Sequence, residues 1–457
     1  MGNCQEDLWS ELFSAESLAT FTENVLHGSK VRGRDGTRPT DVLNERKPIS
    51  EMLARKIENG KYAPIGYRSK LKSKGARSAP RQVSIPAARD RAVIKAMQIF
   101  LKQCFPEVNP PLPQLAVSRL VDEVDSGRYK YFVRIDIRNF YPSIDHEYIL
   151  KKLGGRAILP AAVELVQKII QTPTSPDNVA SSSPNGRGVP QGLAVSSLLS
   201  EIALRDLDSE MRRVKGIYYC RYVDDILILS PRVQHQLLFR KVCALVEPVG
   251  LQAHPMEERG SKTTHGKLED KVDYLGYKLG GERNTPSVRK SSVQALERKI
   301  SRLFADYKKE LRKQESLSRR NARLEYNLNL TISGCVFDGH KRGWLQYYSL
   351  MRDFSLLHRL DNFVLKRVVM YGLSGKIRPK SFVKSFRCAA RRALDVSGYV
   401  PNFDKMKLTR RREWLYKIAG LVRADVRKMS EYEVNREFDF RVSKLLNDME
   451  EDLAIAY

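Results

Sequence analysis

The sequence predicts an α+β fold, and three observations support this prediction. Residues 131–137 alternate side chains with a period of two, which is typical of a strand. Residues 218–229 contain two short apolar runs that meet at Asp224 and Asp225, as in a hairpin. Beyond residue 290, apolar side chains recur at helical spacing, so the last third of the chain is predicted to be mostly helical.

The composition indicates a folded protein that binds a polyanion. The chain has 457 residues, of which 42% are hydrophobic, and this length corresponds to about three domain-sized units. It contains no run of eighteen apolar residues, so we expect no membrane partner. The 80 Lys and Arg outnumber the 53 Asp and Glu, giving a net charge of +27. Such a surplus favours nucleic acid as the partner.

The cysteines and the first residues indicate a cytoplasmic protein. The six cysteines include no pair at C-x-x-C spacing, so neither a zinc cluster nor a disulfide framework is predicted. The start of the chain looks like an acylation signal, but Glu6 stands where myristoylation requires Ser or Thr. No apolar secretory stretch follows it.

Basic residues are concentrated in two blocks. Residues 28–91 carry 17 Lys or Arg against 6 acids, and residues 376–428 carry 16 against 4. Residues 429–457 reverse this balance, with 3 basic and 8 acidic residues. One such run is usually a solvated helix face. Two blocks on either side of acidic motifs favour a nucleic-acid groove.

Periodicity places the individual elements in chain order. A helix follows Pro86, because Val93, Met97, Phe100 and Leu101 recur at helical spacing. The strand at 131–137 carries Asp136, and a helix is predicted around residues 195–202, after a segment rich in Gly and Pro. The spacing of apolar residues predicts two further amphipathic helices, over 293–311 and around 356–364.

Three carboxylates carry the chemical signal. Asp224 and Asp225 are adjacent inside apolar strands, where their mutual repulsion and poor strand propensity must be compensated. Such a dipeptide alone is as often a surface turn, although a hairpin turn would favour Asn-Gly or Asp-Gly. Divalent cations would neutralise both charges. Asp136, 88 residues before Asp224, lies in a second apolar strand and can complete one cage.

The order of the motifs resembles that of reverse transcriptases. Residues 132–145 resemble palm motif A, Gly188-Val189-Pro190-Gln191-Gly192 resembles motif B, and Tyr222-Val223-Asp224-Asp225 resembles motif C. Upstream, residues 81–86 with Asp90-Arg91 resemble the fingers of bacterial and group II intron enzymes. Lys262-Thr263 resembles motif D, and residues 273–277 resemble motif E, the primer grip. The resemblance is specific over about residues 70–280 and weaker to about 370.

The resemblance implies a right-hand polymerase. Its fingers would lie within residues 1–130, and its palm, an antiparallel sheet with helices, within 131–280, with a fingers insertion at about 150–185. A helical thumb would follow at 281–375, and a basic helical extension with an acidic tail at 376–457.

The resemblance also assigns the metal site. Asp136 and Asp224 would hold two Mg²⁺ ions with help from Asp225, and the metal-binding set is Asp136, Ile137, Asp224 and Asp225. Hard carboxylate oxygens with open positions for water and triphosphate favour Mg²⁺ over zinc. The implied reaction is nucleotidyl transfer, with a primer 3′-hydroxyl as nucleophile and pyrophosphate as leaving group.

Further residues would bind the nucleotide and the primer. Tyr141 corresponds to the steric gate that excludes a 2′-hydroxyl, although an ordinary buried aromatic residue is the simpler interpretation of the pattern alone. Gln191 would lie beside the nascent base pair, and Arg81, with Arg77 or Lys74, would bind the triphosphate. Lys262 would protonate pyrophosphate, although a lone Lys on a loop is more often just a surface charge. Tyr274, Leu275 and Gly276 would form the primer grip.

The resemblance extends to stand-alone bacterial reverse transcriptases, including those of antiphage defence. Residues 281–457 leave too little room for an RNase H domain beside a thumb, and they lack the Cys and His clusters of intron endonucleases. We therefore expect a template or dedicated noncoding RNA, a DNA product or primer and deoxynucleotides as partners. A second copy of the chain or an accessory protein is left open. Protein-primed, self-primed or untemplated synthesis, and a maturase-like RNA-binding scaffold, are the alternatives.

Overall fold

The computed structural model describes residues 2–73, 80–108, 113–177, 183–256, 258, 260–281, 285–310, 316–390 and 398–454. The chain divides into two compact units, the first made of residues 1–112 and 128–266 and the second of residues 113–127 and 267–457. This division is coarser than the four segments expected from the sequence, whose boundaries stay a prediction. Within the described ranges, no helix combines the length and apolar character needed to cross a membrane.

The helices of the first unit surround one large apolar core. That core includes Phe100, Ile135 and Ile228, so it joins the fingers-like helices to the sheet. The helices are α1 (Gly2–Leu12), α2 (Ala15–Leu26), α3 (Pro39–Asn44), α4 (Arg46–Glu58), α5 (Asp90–Cys104), α7 (Phe140–Ser143), α8 (His146–Gly154), α9 (Pro160–Gln171), α10 (Ser196–Ala203), α11 (Arg205–Arg212) and α12 (His235–Val246). Helix α6 (Pro113–Asp125) lies between them in sequence but belongs to the second unit.

The first unit contains two sheets. The smaller sheet has the order β2-β1-β4, in which β1 (Tyr67–Lys72) pairs antiparallel with β2 (Arg81–Ile85) and parallel with β4 (Thr174–Ser175). The larger sheet has the order β5-β6-β3-β7, and β8 also pairs with β3. Its strands are β3 (Tyr131–Arg138), β5 (Tyr218–Tyr222), β6 (Asp225–Ser230), β7 (Gln252–Ala253) and β8 (Thr264–Lys267).

Strand β6 lies between β5 and β3 in the larger sheet. All six of its residues are buried, as expected for a strand covered on both faces. Antiparallel pairing with β3 sets Ile135 opposite Ile226 and Asp136 opposite Asp225. The sheet therefore brings two of the predicted acids together although 89 positions separate them in the sequence.

The second unit is mainly helical. A three-stranded sheet has the order β11-β10-β9, and a separate hairpin pairs β12 with β13. The strands are β9 (Val272–Tyr274), β10 (Tyr277–Leu279), β11 (Ser287–Val288), β12 (Cys335–Phe337) and β13 (His340–Arg342). The helices are α13 (Lys290–Glu310), α14 (Leu317–Ser333), α15 (Trp344–Tyr347), α16 (Phe354–Met370), α17 (Phe382–Ala390), α18 (Leu408–Lys417), α19 (Arg423–Lys428) and α20 (Glu431–Ala454).

The predicted α+β class is confirmed, and so are the elements on which it depended. Helices α5, α10, α13 and α16 and strands β3, β5 and β6 lie where the periodicity placed them. The β12–β13 hairpin interrupts the region expected to be helical. It turns at Asp338 and Gly339, which both have positive φ, and the Asp404 carboxylate accepts hydrogen bonds from both of their backbone N–H groups. Asp-Gly is a favoured hairpin turn, so this dipeptide was a local signal that the prediction of a helical region did not use.

Candidate active site

The three predicted acids lie at one end of the larger sheet. Asp136 and Asp225 are directly opposite each other, so their side chains project from the same face. Tyr222 pairs with Asp225, which leaves Val223 and Asp224 as the two residues of the turn between β5 and β6. The hairpin predicted from the sequence is confirmed, with Asp224 at its tip and Asp225 as the first residue of β6.

The turn itself is strained. Val223 has a φ of +57°, which is unfavourable for a β-branched residue. Holding such a residue in the left-handed region costs about 1–3 kcal/mol. Residues in this conformation persist only where surrounding contacts fix them, and they cluster at functional sites. Val223 directly precedes Asp224, so the strain lies beside the acid at the tip.

Asp225 is held by an arginine from the neighbouring strand. The Arg134 Nε atom donates to Oδ1 of Asp225 at 2.8 Å, and Nη2 donates to Oδ2 at 2.7 Å. Both side chains are mostly buried, with exposed fractions of 20% and 11%. Both carboxylate oxygens of Asp225 are therefore engaged in a bidentate ion pair.

Asp136 has two cationic or polar neighbours. The Lys262 Nζ atom and the His254 Nε2 atom each lie 3.3 Å from Oδ1 of Asp136. Burial lowers the pKa of His254, and although Asp136 opposes this shift, Lys262 and Arg138 add to it. The neutral imidazole accepts a hydrogen bond from Arg138 at Nδ1. Its Nε2–H group then faces the Asp136 carboxylate, which defines the tautomer.

Asp224 carries an unfavourable charge in the absence of a cation. The pKa of Asp224 is raised to about 6, mainly by burial and in part by the negative charges of Asp136 and Asp225. Lys262 opposes this shift only in part. A divalent cation would reverse the effect of both neighbouring acids, because it stabilises the ionised form.

The residues fit a divalent cation at Asp136 and Asp224. Their carboxylate oxygens are the hard ligands that Mg²⁺ prefers, and a site with few protein ligands suits an ion that keeps several waters. Among the described residues, no group of three or more His, Cys, Asp or Glu has the geometry of a complete metal cage. Substrate oxygens and water would have to supply the other ligands. Ile137 is buried and pairs with Ala253, so only its backbone could contribute.

Tyr141 lies close to the acids and is joined to the motif B segment. Its backbone carbonyl accepts a hydrogen bond from the Val189 N–H group at 2.8 Å. Its ring packs edge-on against Phe140, and its hydroxyl forms a hydrogen bond with Ser200. Burial raises the pKa of Tyr141, and the negative charge of Asp224 contributes to the shift. The structure therefore brings the predicted gate and the predicted catalytic turn together.

The motif B loop, residues 188–192, lies against strand β2 of the small sheet. The Ser84 N–H group donates to the Gln191 carbonyl at 2.6 Å. Gly192 has a φ of +102°, and a Cβ atom there would lie 2.6 Å from Cγ1 of Val83. A glycine is therefore required by both conformation and space. Within the described residues, the buried Oε1 atom of Gln191 has no hydrogen-bond donor, which leaves one polar atom of the loop unsatisfied.

The predicted triphosphate-binding residues are only partly described. Arg81 is exposed at the start of β2, and its charge acts on the Tyr141 hydroxyl, so it lies near the site. Lys262, from the segment that resembles motif D, is 65% exposed and lies beside Asp136. Arg77 and Lys74 fall outside the described residues.

The predicted primer grip is a tight hairpin of the second unit. Tyr274 pairs with Tyr277, and the turn between them is formed by Leu275 and Gly276, both with positive φ. The Tyr347 hydroxyl donates to the Leu275 carbonyl at 2.9 Å, and the Tyr277 hydroxyl donates to the Tyr347 carbonyl at 2.5 Å. The turn is therefore fixed by aromatic side chains of the same unit.

The sequence did not predict three residues that contact the acids or the turn that carries them. Arg134 pairs with Asp225, Arg221 lies behind the turn, and His254 contacts Asp136. For Arg134 and Arg221 the available signal was their position inside apolar strands, because a charge on a half-buried strand requires a partner. His254 gave no such signal, since it follows a short strand in a loop.

Comparisons with known proteins agree with the motifs. Residues 71–279 match the family model described as reverse transcriptase (RNA-dependent DNA polymerase). Protein YkfC of Escherichia coli K12 is 23% identical over 298 residues, an alignment that covers 55% of this chain and 76% of YkfC. The alignment therefore spans most of the length of YkfC.

Two solved telomerase structures are also similar. Apo telomerase from Candida tropicalis, truncated from its C-terminal domain, is 10% identical, with a TM-score of 0.39 over 51% of this chain and 58% of that chain. Telomerase from Candida albicans, in complex with the TWJ fragment of telomeric RNA, is 12% identical, with a TM-score of 0.42 over 86% of this chain and 62% of that chain. The chain thus spans about three-fifths of each telomerase chain.

Proposed function

We propose that this chain, whose residues 71–279 are a reverse transcriptase domain, extends a primer 3′-hydroxyl with deoxynucleotides by a two-metal mechanism at Asp136 and Asp224. RNA-directed DNA polymerase is the activity of the domain, and the mechanism and its residues are the proposal. One observation carries it. The sheet brings Asp136 to a strained turn where burial and neighbouring acids raise the pKa of Asp224 to about 6.

The protein groups have separate tasks in this proposal. Asp136 and Asp224 would hold two Mg²⁺ ions, which when bound would activate the primer hydroxyl and stabilise the leaving pyrophosphate. Asp225, held by Arg134, would add negative charge beside them, and the Ile137 backbone would complete the metal-binding set. Lys262 would place a proton donor close to the leaving group.

Nucleotide selection would depend on Tyr141 and its neighbours. The Tyr141 ring lies near Asp224 and is fixed by Ser200 and by the Val189 backbone, so it cannot easily yield to a 2′-hydroxyl. Gln191, whose buried Oε1 atom lacks a donor among the described residues, would lie beside the nascent pair, and Arg81 would bind the triphosphate. In the second unit, Tyr274, Leu275 and Gly276 would grip the primer.

The partner would be an RNA that serves as template. The net charge of +27 supports a long polyanion, since each phosphate contact releases counterions. We propose a dedicated noncoding RNA and a role in antiphage defence, on the basis of the resemblance to stand-alone bacterial enzymes. Protein-primed or untemplated synthesis would use the same carboxylates. Sequencing the nucleic acid bound to purified protein separates these cases, because it reports template, primer and product together.

A primer-extension assay tests the activity and the site. Purified protein is given an RNA template, a DNA primer, deoxynucleotides and Mg²⁺, and Asp224→Asn is compared with the parental chain. We expect the variant to lose activity by at least about a thousandfold, because one carboxylate ligand becomes a neutral amide. Asp206→Asn is the matched control, since Asp206 is an exposed acid that pairs with Lys152. DNA synthesis by Asp224→Asn at the parental rate would refute the assignment.

A further inference from the structure

The buried side chain of Arg221, on strand β5 just before the turn at Val223 and Asp224, donates a hydrogen bond from each of its five N–H groups. Nε of Arg221 donates to Asp208 Oδ1 at 2.8 Å, and Nη2 donates to Asp208 Oδ2 at 2.7 Å. The guanidinium also donates to Glu201, from Nη1 at 3.1 Å and from Nη2 at 2.6 Å. The fifth hydrogen bond runs from Nη1 to the Val223 carbonyl at 2.8 Å. Five donors are therefore satisfied by two carboxylates and one backbone oxygen.

A contribution to stability does not by itself explain this cluster of Arg221, Glu201 and Asp208. The side chains of Arg221, Glu201 and Asp208 are only 4%, 10% and 15% exposed, so three charges are removed from water. A buried ion pair of this kind is often no more stable than well-packed apolar residues of the same volume. Its geometric consequence is therefore the better guide to its role.

That consequence is the position of the turn. Val223 has a positive φ, and its carbonyl belongs to the peptide group that leads into Asp224. The hydrogen bond from Arg221 fixes the orientation of this peptide group, and so the direction in which the Asp224 side chain leaves the backbone. Without this bond, the strained turn would be free to relax to a more common conformation.

Helix α10 joins the turn to the nucleotide-selecting residues. Its consecutive residues Ser200 and Glu201 bind the Tyr141 hydroxyl and the Arg221 guanidinium. The helix also begins four positions after Gly192, the last residue of the motif B loop, and the Ser196 hydroxyl donates to the Pro190 carbonyl at 2.5 Å. One short helix therefore contacts the predicted gate, the loop and the support of the catalytic turn.

We propose that Arg221 is a positioning residue that holds Asp224 in its metal-binding orientation. Glu201 binds Arg221 and so connects it to helix α10, which also contacts Tyr141 and the motif B loop. The proposal rests on the proposed function, since it assigns Asp224 to the metal. It predicts that Arg221 acts on metal affinity and turnover and leaves the binding of primer and template unchanged.

The test compares two variants with a matched control. Arg221→Lys keeps the charge but loses the planar fork, and Glu201→Gln keeps the size of the side chain but removes its charge. Arg213→Gln is the control, because the Arg213 side chain is 74% exposed and forms an ion pair with Glu210, three positions before it in the sequence. Mn²⁺ binding is measured by electron paramagnetic resonance, kcat and KM by primer extension, and folding by circular dichroism.

We expect Arg221→Lys to bind Mn²⁺ several-fold more weakly and to lose kcat by about 10–100-fold, as expected for a misplaced catalytic group. The KM for deoxynucleotide and the Kd for primer and template should stay within about twofold of the parental values. Glu201→Gln should change Mn²⁺ binding and kcat in the same direction by a smaller factor, and Arg213→Gln should change neither.

A folded Arg221→Lys protein with parental Mn²⁺ affinity and kcat would overturn the proposal, even if its melting temperature were lower. If Arg221→Lys does not fold, Glu201→Gln decides by the same two measurements. A parental chain that binds Mn²⁺ but extends no primer would refute the proposed function alone, and the Mn²⁺ comparison would still judge Arg221. A parental chain that binds no Mn²⁺ would overturn both.

Discussion

Asp90 provides a quantitative prediction, because its carboxyl group is fully buried at the start of helix α5. It accepts hydrogen bonds from the Tyr62 hydroxyl at 3.1 Å and from the Ile65 N–H group at 2.9 Å. The Arg89 Nε atom lies 3.5 Å from Oδ1 of Asp90. Burial raises the pKa of Asp90 more than these partners lower it, and the result is an increase from 3.8 to about 6. The folded state therefore binds the proton more tightly than the unfolded state.

The sign of the effect follows from this shift. Below about pH 4, Asp90 is protonated in both states and its stabilising contribution is fully present. As the pH rises through about 6, the folded state loses the proton and this contribution disappears. A shift of two pKa units corresponds to about 3 kcal/mol, of which about 2 kcal/mol is lost between pH 4.5 and pH 7.5.

Asp90→Asn removes this titration. The asparagine cannot ionise, so the difference in unfolding free energy between variant and parental chain should shift in favour of the variant by about 2 kcal/mol from pH 4.5 to pH 7.5. Urea denaturation of both proteins at the two pH values measures this difference, and hydrogen exchange of peptides from α5 confirms that the first unit is responsible. Other titrating groups are common to both proteins and cancel in the comparison.

Asp7→Asn, which changes an exposed acid of α1, is the control and should show no such shift. The absolute stability of Asp90→Asn is not the test, because the new amide must also satisfy the Tyr62 hydroxyl and the Ile65 N–H group. A difference between Asp90→Asn and the parental chain that stays constant from pH 4.5 to pH 7.5 would refute the reasoning.

Three further predictions concern the active site and its partner. Tyr141→Ala should admit ribonucleotides, because it removes the ring fixed by Ser200, and unchanged sugar selectivity in primer extension would contradict the gate. Gly192→Ala should lower stability by about 1–3 kcal/mol and impair synthesis, because residue 192 has a positive φ and the new Cβ would clash with Val83. A melting temperature equal to the parental value would show that the loop adapts. RNA affinity should fall by about a thousandfold between 50 and 200 mM salt if some six phosphates are bound, and a flat response would exclude a groove lined by Lys and Arg.

The sequence alone determined the class of fold and singled out the three acids that meet at one end of the larger sheet. Strands β3 and β6 contain enough alternating or continuous apolar residues for their hydrophobic pattern to specify them, and α5, α13 and α16 have long helical repeats. Asp136 and Asp224 stood out because acids in such strands are costly. The match of residues 71–279 to the reverse transcriptase family confirms the resemblance on which the other residue roles were built.

Only the tertiary structure decided how the acids are held. Register sets Asp136 opposite Asp225, and the Arg134 fork then engages both oxygens of Asp225. The buried cluster behind the turn joins Glu201 and Arg221, which lie 20 positions apart. Periodicity indicates that Arg221 needs a partner, but it cannot show which distant carboxylate supplies it. Local patterns report which residues avoid water. The partners of a buried charge depend on which elements the fold brings together, and that is settled by packing across the whole unit.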